Sequence, residues 1–163
     1  MHNETLVSSL SPDRAAAWRV FIECAFALID ILETEMEQEC GISLSEYDVL
    51  VHLDQTSAGL PMSELATAIL RSRSGLTRVI DRMEKAGLVQ RTRPPADRRV
   101  IAVVLTPTGA ELLQRSRAMH RRGILEHFAR HIDDDEVAAL DQALRKVRSH
   151  VRSSQGPAHP NEP

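Results

Sequence analysis

The chain of 163 residues is poor in aromatic side chains, with one Trp, one Tyr and three Phe, which disfavours the stacked-ring surfaces that hold sugars or unstacked bases. Its two cysteines, Cys24 and Cys40, are too few for a disulfide framework and suit a reducing compartment. No apolar run approaches the ~20 residues a helix needs to cross a bilayer. The opening MHNETLVSSLSPD has neither the basic start nor the apolar run of a secretory signal, so a cytoplasmic location is expected. A phosphate-cradling glycine loop, an HExxH and a GxSxG are all missing, so neither an enzyme nor a bound cofactor is expected. The formal net charge of −3 argues, taken as an average, against a nucleic-acid partner.

That average hides a strong segregation. From Arg71 to Arg99 there are nine Lys and Arg against three Asp and Glu, so this segment is +6 and the remainder −9. With 42% hydrophobic and 26% charged residues, the chain can build one compact domain or two lobes sharing a core.

Ser11 followed by Pro12 is a helix start, and Trp18, Phe21, Ile22, Ala25, Leu28, Ile29, Leu32 and Met36 follow helical spacing to about Glu39. Gly41 stops that helix, and Ser45 with Asp48 three residues on predicts a capping box opening a second helix through about Gln55. TSAGLP reads as a linker. MSELATAILRSRSGLTRVIDRMEKAGLV then divides into a short helix with Leu65, Ala66 and Ile69 inward, a polar turn, and a second helix with Leu76, Val79, Ile80 and Met83 inward, the outline of a helix-turn-helix.

LVQRTRP and VIAVVLT read as two strands joined by the polar connector PADRR, a hairpin or wing. Thr106 and Pro107 open a long helix reaching about His131, and Asp133 with Glu136 caps a last helix whose Val137, Leu140, Leu144, Val147 and Val151 form a seam for another helix. Residues 153–163 are polar and proline-containing and are expected to be a disordered tail. The fold class expected is mainly α with a small β-hairpin: a winged helix-turn-helix lobe over 45–106, and a dimerisation lobe from helices 12–40 and 107–152.

A helix that enters a DNA major groove needs short polar side chains and arginines near its N-terminal end, where they reach base edges and phosphates. Arg73, Ser74, Thr77 and Arg78 meet that need. At the wing, Asp97 beside Arg98 and Arg99 suits a guanidinium held for a narrow minor groove, with Arg91 and Arg93 adding positive charge to the same hairpin.

The unbroken stretch SGLTRVIDRMEKAGLVQRTRPPADRRVIAVVLTPTG resembles the MarR family, the winged helix-turn-helix regulators named for multiple antibiotic resistance, and the likeness extends over about residues 13–152. It implies a homodimer joined through the first and last two helices, with the helix near Ser74 in the major groove of double-stranded DNA. It also implies that Arg99 enters the minor groove, held by Asp97. A two-fold dimer expects a palindromic operator; repression is the family's common mode.

The resemblance further implies a small aromatic or anionic effector, for which Trp18, Tyr47, Asp48, His52 and His120 are candidates, although Trp18 and Tyr47 taken singly read as helix-packing core. Oxidant sensing would need an exposed, activated thiol, whereas Cys24 reads as packed and Cys40 has no cationic cluster beside it. His120, His127 and His131 lie at helical spacings on the fifth helix. Without a CxxC or carboxylate cluster they read as surface histidines rather than a zinc site, and no metal is expected. A zinc- or oxidant-sensing regulator of the same fold remains one alternative. A winged-helix protein-interaction module without DNA binding is another, against which the basic reading face weighs.

Overall fold

The computed structural model describes residues 10–56, 58–69, 73–93 and 99–154. Helix α1 (Pro12–Cys40) begins as its residues predict, with the Ser11 hydroxyl accepting the Arg14 N–H and Pro12 in the first turn. It ends at Gly41, whose φ of 70° lets its N–H turn back to the Glu37 carbonyl at 3.0 Å, a left-handed conformation natural to glycine.

Helix α2 (Leu44–Leu53) starts earlier than expected, because the capping box is Ser43–Glu46 and not Ser45–Asp48. The Glu46 N–H donates to Ser43 Oγ at 3.2 Å and the Ser43 N–H to Glu46 Oε2 at 2.9 Å. Two serine-to-acid registers overlap here, and the one with the longer glutamate side chain reaches back to close the box.

The stretch read as a linker contributes a strand. β1 (Leu60–Pro61) pairs antiparallel with β3 (Ala102–Leu105), Leu60 opposite Val103. β3 also pairs with β2 (Val89–Thr92), Val89 opposite Leu105 and Thr92 opposite Ala102, so the sheet order is β1-β3-β2. Two residues ending in proline carry no strand signature. Gly59, with φ of 78°, passes so close to β3 that a Cβ would stand 2.5 Å from the Val103 carbonyl oxygen.

Between β1 and β2 lie α3 (Met62–Ala68) and α4 (Arg73–Lys85). After β3 comes α5 (Pro107–His127), then a single 3₁₀ turn (Ala129–His131) and α6 (Asp134–Ser154). Thr106 fastens the start of α5: its hydroxyl donates to the Gly87 carbonyl at 2.7 Å and accepts the Gly109 N–H at 3.0 Å. Gly109 packs directly on the Leu88 carbonyl, where any Cβ would collide.

The fifth helix is shorter than expected. Phe128 leaves the helical path at φ −133° and ψ −65°, so His131 sits on the 3₁₀ turn, with its Nε2 2.9 Å from the Glu126 carbonyl, and not one helical turn beyond His127. Asp133 and Glu136 cap α6 reciprocally, each bond 2.9 Å. That helix runs through Ser154, two residues into the stretch read as tail, while 155–163 lie outside the described residues.

Packing divides the chain into one unit up to Gly123 and another from Ile124 onward. The first unit's core joins Leu50 and Leu53 of α2, Leu65 of α3, Leu76, Ile80 and Met83 of α4, Val89 and Val103 of the sheet, and Leu113 of α5. Within it, α5 approaches α1 closely at Gly123, where a Cβ would collide with Leu32.

Glu46 is the one ionisable side chain buried in this core among the described residues. Its Oε1 accepts the Arg82 Nε–H at 2.7 Å, while Oε2 closes the cap of α2. Removing it takes away the bond from the Ser43 N–H, although the Ser43 hydroxyl still caps the residue-46 N–H, and a charge-assisted bond between helices worth about 2 kcal/mol. Glu46→Ala is expected to lower unfolding free energy by about 2 kcal/mol, read from the urea midpoint at unchanged slope.

Candidate nucleic-acid interface

α4 is two-sided because its apolar positions recur every three or four residues. Leu76, Val79, Ile80 and Met83 are buried, while Thr77, Arg78, Asp81, Arg82 and Lys85 are exposed. Arg73 and Ser74 occupy its first turn, and their side chains lie outside the described residues. Of the three expected wing residues, Asp97 and Arg98 also lie outside them, whereas Arg99 is described and exposed.

A hollow of about 460 Å³ lies between α4 and the wing. Thr77 from α4, Met62 and Ser63 from α3, Arg91 from β2, and Arg99 from the segment entering β3 all line it. Two residues singled out on different elements, Thr77 and Arg99, therefore border one surface. Arg91 joins them there, but not as the added free charge expected of it. Its Nη2 donates to Asp81 Oδ1 and its Nη1 to Glu84 Oε2, both at 2.6 Å, and its backbone N–H donates to Glu84 Oε1 at 2.9 Å. The Arg91 backbone N–H, and then its guanidinium, hold the Glu84 carboxyl below the usual range.

A count of charges along the chain missed this, because Arg91 meets its partners across the turn at Gly87. The spacing that could have shown it is two acids three apart at the end of α4, followed by a strand arginine. Arg82 is engaged likewise by Glu46. Arg78, Lys85 and Arg93 remain exposed.

The candidate effector residues fall into separate groups. Tyr47 of α2 and His120 of α5 are half-buried, with ring centroids 4.8 Å apart. Asp48 and His52 face each other one turn apart at 3.7 Å. Trp18 is 62% exposed on α1, its ring 6.1 Å from that of Phe21. The sequence reading did not include Arg117, which pairs with Asp54 at 2.9 Å and whose charge reaches Tyr47; its place three residues before His120 on α5 was the available signal. Burial raises the Tyr47 hydroxyl, opposed by Arg117.

Cys24, expected to be packed, is exposed, and Cys40 is half-buried against the core. The apolar face carrying Cys24 is bare in the single chain: Val20 is 57%, Phe21 41% and Ile31 39% exposed. Among the described residues, no three His, Cys, Asp or Glu side chains gather to hold a metal ion, and no helix is long and apolar enough to cross a membrane.

Burial holds the His120 imidazole below its ordinary 6.5, so the folded chain resists a proton that the unfolded chain accepts. The stability linked to this group is complete above pH 6.5 and falls as pH drops from there toward the folded value. The urea midpoint should therefore decline between about pH 7 and pH 5 more steeply in the wild type than in His120→Phe; equal slopes would show that the buried imidazole contributes nothing.

The MarR family model matches residues 42–101, from the start of α2 to the residue before β3. The HTH-type transcriptional regulator PecS of Dickeya dadantii is 30% identical over 129 residues, 76% of this chain and 75% of that one. AbsC, a MarR family transcriptional regulator from Streptomyces coelicolor, is 33% identical; the match covers 88% of this chain and 97% of AbsC with a TM-score of 0.82. Sco3205, a MarR family regulator from the same organism solved in complex with DNA, is 28% identical, with 91% and 95% covered and a TM-score of 0.82. With its three-stranded wing sheet and the two-sided helix α4, the chain belongs to the MarR family of DNA-binding transcriptional regulators.

Proposed function

We propose that this chain acts as a homodimeric repressor that binds a palindromic operator and is released by a small-molecule effector. In this reading residues 45–106 form the DNA-binding lobe. Arg73, Ser74, Thr77 and Arg78 read the major groove, and Arg99 enters the minor groove with Asp97 and Arg98 beside it. The observation that carries the reading is the shared hollow: Thr77 of α4 and Arg99 of the wing border one surface, as a two-element grip on one face of a duplex requires.

The dimer reading rests on uncovered apolar surface along helices 12–40 and 107–152. Trp18, Phe26 and Ile29 on α1, and Val137, Val147 and Val151 on α6, are all exposed in the single chain. A soluble monomer rarely leaves so many large side chains bare on particular helices. A second copy covers them and places two reading helices about one DNA turn apart.

The effector is proposed to be a small aromatic or anionic molecule near Tyr47 and His120, with Asp48, His52 and Trp18 as further candidates. The contact between Tyr47 on α2 and His120 on α5 favours this, because α2 also packs on the reading helix.

Selection of random duplexes on the purified protein tests the reading. A palindromic consensus whose affinity falls steeply with salt is expected, since each phosphate contact releases counterions; no enrichment at low salt would overturn it. Arg99→Ala should weaken binding to every duplex about tenfold and reduce the salt slope by about one, with the dimer intact by size exclusion. Unchanged affinity would remove the wing from the interface.

A further inference from the structure

Asp81 and Glu84 are oddly placed for a DNA-reading helix. Both lie toward the C-terminal end of α4, where the helix dipole disfavours negative charge, and Asp81 shares the exposed face with Thr77 and Arg78, where it would repel phosphates. Neither helix stability nor phosphate attraction accounts for them. What they do in the structure is hold Arg91: one guanidinium spans both carboxylates at 2.6 Å, and the Arg91 backbone N–H adds a third bond at 2.9 Å.

Arg91 stands on β2, which pairs with β3, and Arg99 lies on the segment that enters β3. Asp81 stands one turn after Thr77 on α4. The triad thus joins the two elements that border the hollow, and Arg91 lines that hollow with Thr77 and Arg99. Three directional bonds, two of them from a planar fork that tolerates little rotation, set the angle between α4 and the wing.

We infer that Arg91, Asp81 and Glu84 are positioning residues that fix the reading helix against the wing, so that they govern discrimination between DNA sequences rather than general affinity for DNA. The inference rests on the proposed operator-binding reading. The two carboxylates neutralise the guanidinium charge and take two of its N–H donors, so Arg91 adds little to sequence-independent binding. Base readout by contrast needs side chains held close to their productive geometry, and loosening one joint misaligns Thr77 and Arg99 for the same duplex.

The experiment compares affinity for the duplex selected by the wild type with affinity for a random duplex of equal length, at fixed salt, for the full-length protein. Arg91→Met keeps the side-chain length without its charge. It is expected to lower the selected-to-random ratio about tenfold or more, as one lost base contact does, beyond the equal loss on both duplexes that the uncovered Asp81 and Glu84 carboxylates cause. A uniform loss on both duplexes at an unchanged selected-to-random ratio, with the salt slope reduced by about one, would make Arg91 a phosphate contact and overturn the proposal.

Asp81→Asn gives an independent arm should Arg91→Met fold poorly. Positioning predicts a fall in the same ratio, whereas a carboxylate that merely repels DNA predicts tighter binding to both duplexes at an unchanged ratio. If the wild type selects no sequence, the operator reading fails and the proposal falls with it. If the wild type selects and both variants keep its ratio, only the proposal fails.

Discussion

The arrangement of the DNA-binding elements depends on one buried carboxylate. Apolar contacts hold α2 and α4 together but are non-directional; Leu50, Leu53, Leu76 and Ile80 could pack nearly as well after a small rotation or slide. Glu46 removes that freedom. With its side chain almost wholly buried, its Oε2 closes the cap of α2 and its Oε1 receives the Arg82 Nε–H. A charge withdrawn from water must have its partners in good geometry, so these bonds select one setting of α4, and the outward direction of Thr77 and Arg78 follows from it.

Glu46 and Tyr47 are neighbours on α2, about 100° apart around the helix axis, so one faces α4 and the other the His120 ring of α5. Any displacement of α2 consequently moves both attachments together. α5 is fastened further by Arg117 to Asp54 and Arg122 to Glu39. Exposed pairs of this kind contribute only ~0–1 kcal/mol each. Their effect is on register: they tie α5 to the C-terminal ends of α1 and α2, at the edge of the core.

Much of this was legible in the sequence wherever the signal was local. Ser11–Pro12, Thr106–Pro107 and Asp133–Glu136 mark helix starts because capping is chemistry among neighbouring residues, and Leu76, Val79, Ile80 and Met83 declare the inner face of α4 by period alone. What was not legible depends on partners distant in sequence. Leu60–Pro61 becomes a strand only because β3 lies beside it. Arg91 counts as a free cation until the turn at Gly87 brings Asp81 and Glu84 against it. Cys24 sits in an apolar pattern, but a pattern shows that a face is apolar and not whether its own chain covers it. The choice between Ser43–Glu46 and Ser45–Asp48 went wrong for a smaller reason, two overlapping signals that differ by one methylene of reach. The wing tip at Asp97 and Arg98 lies outside the described residues.

The two-residue strand β1 has an outcome of another kind. A small antiparallel sheet has two open edges, and an open edge recruits strands from other molecules. Here one edge is Leu60 and Pro61, too short to template a partner and lacking an amide proton at its second residue. The other edge, β2, carries Gln90 and Arg91 and is followed by the exposed Arg93, whose charge opposes stacking of like strands. Wings crowded side by side along a polymer at high local concentration would therefore stay separate, and the sheet ends where the chain ends it.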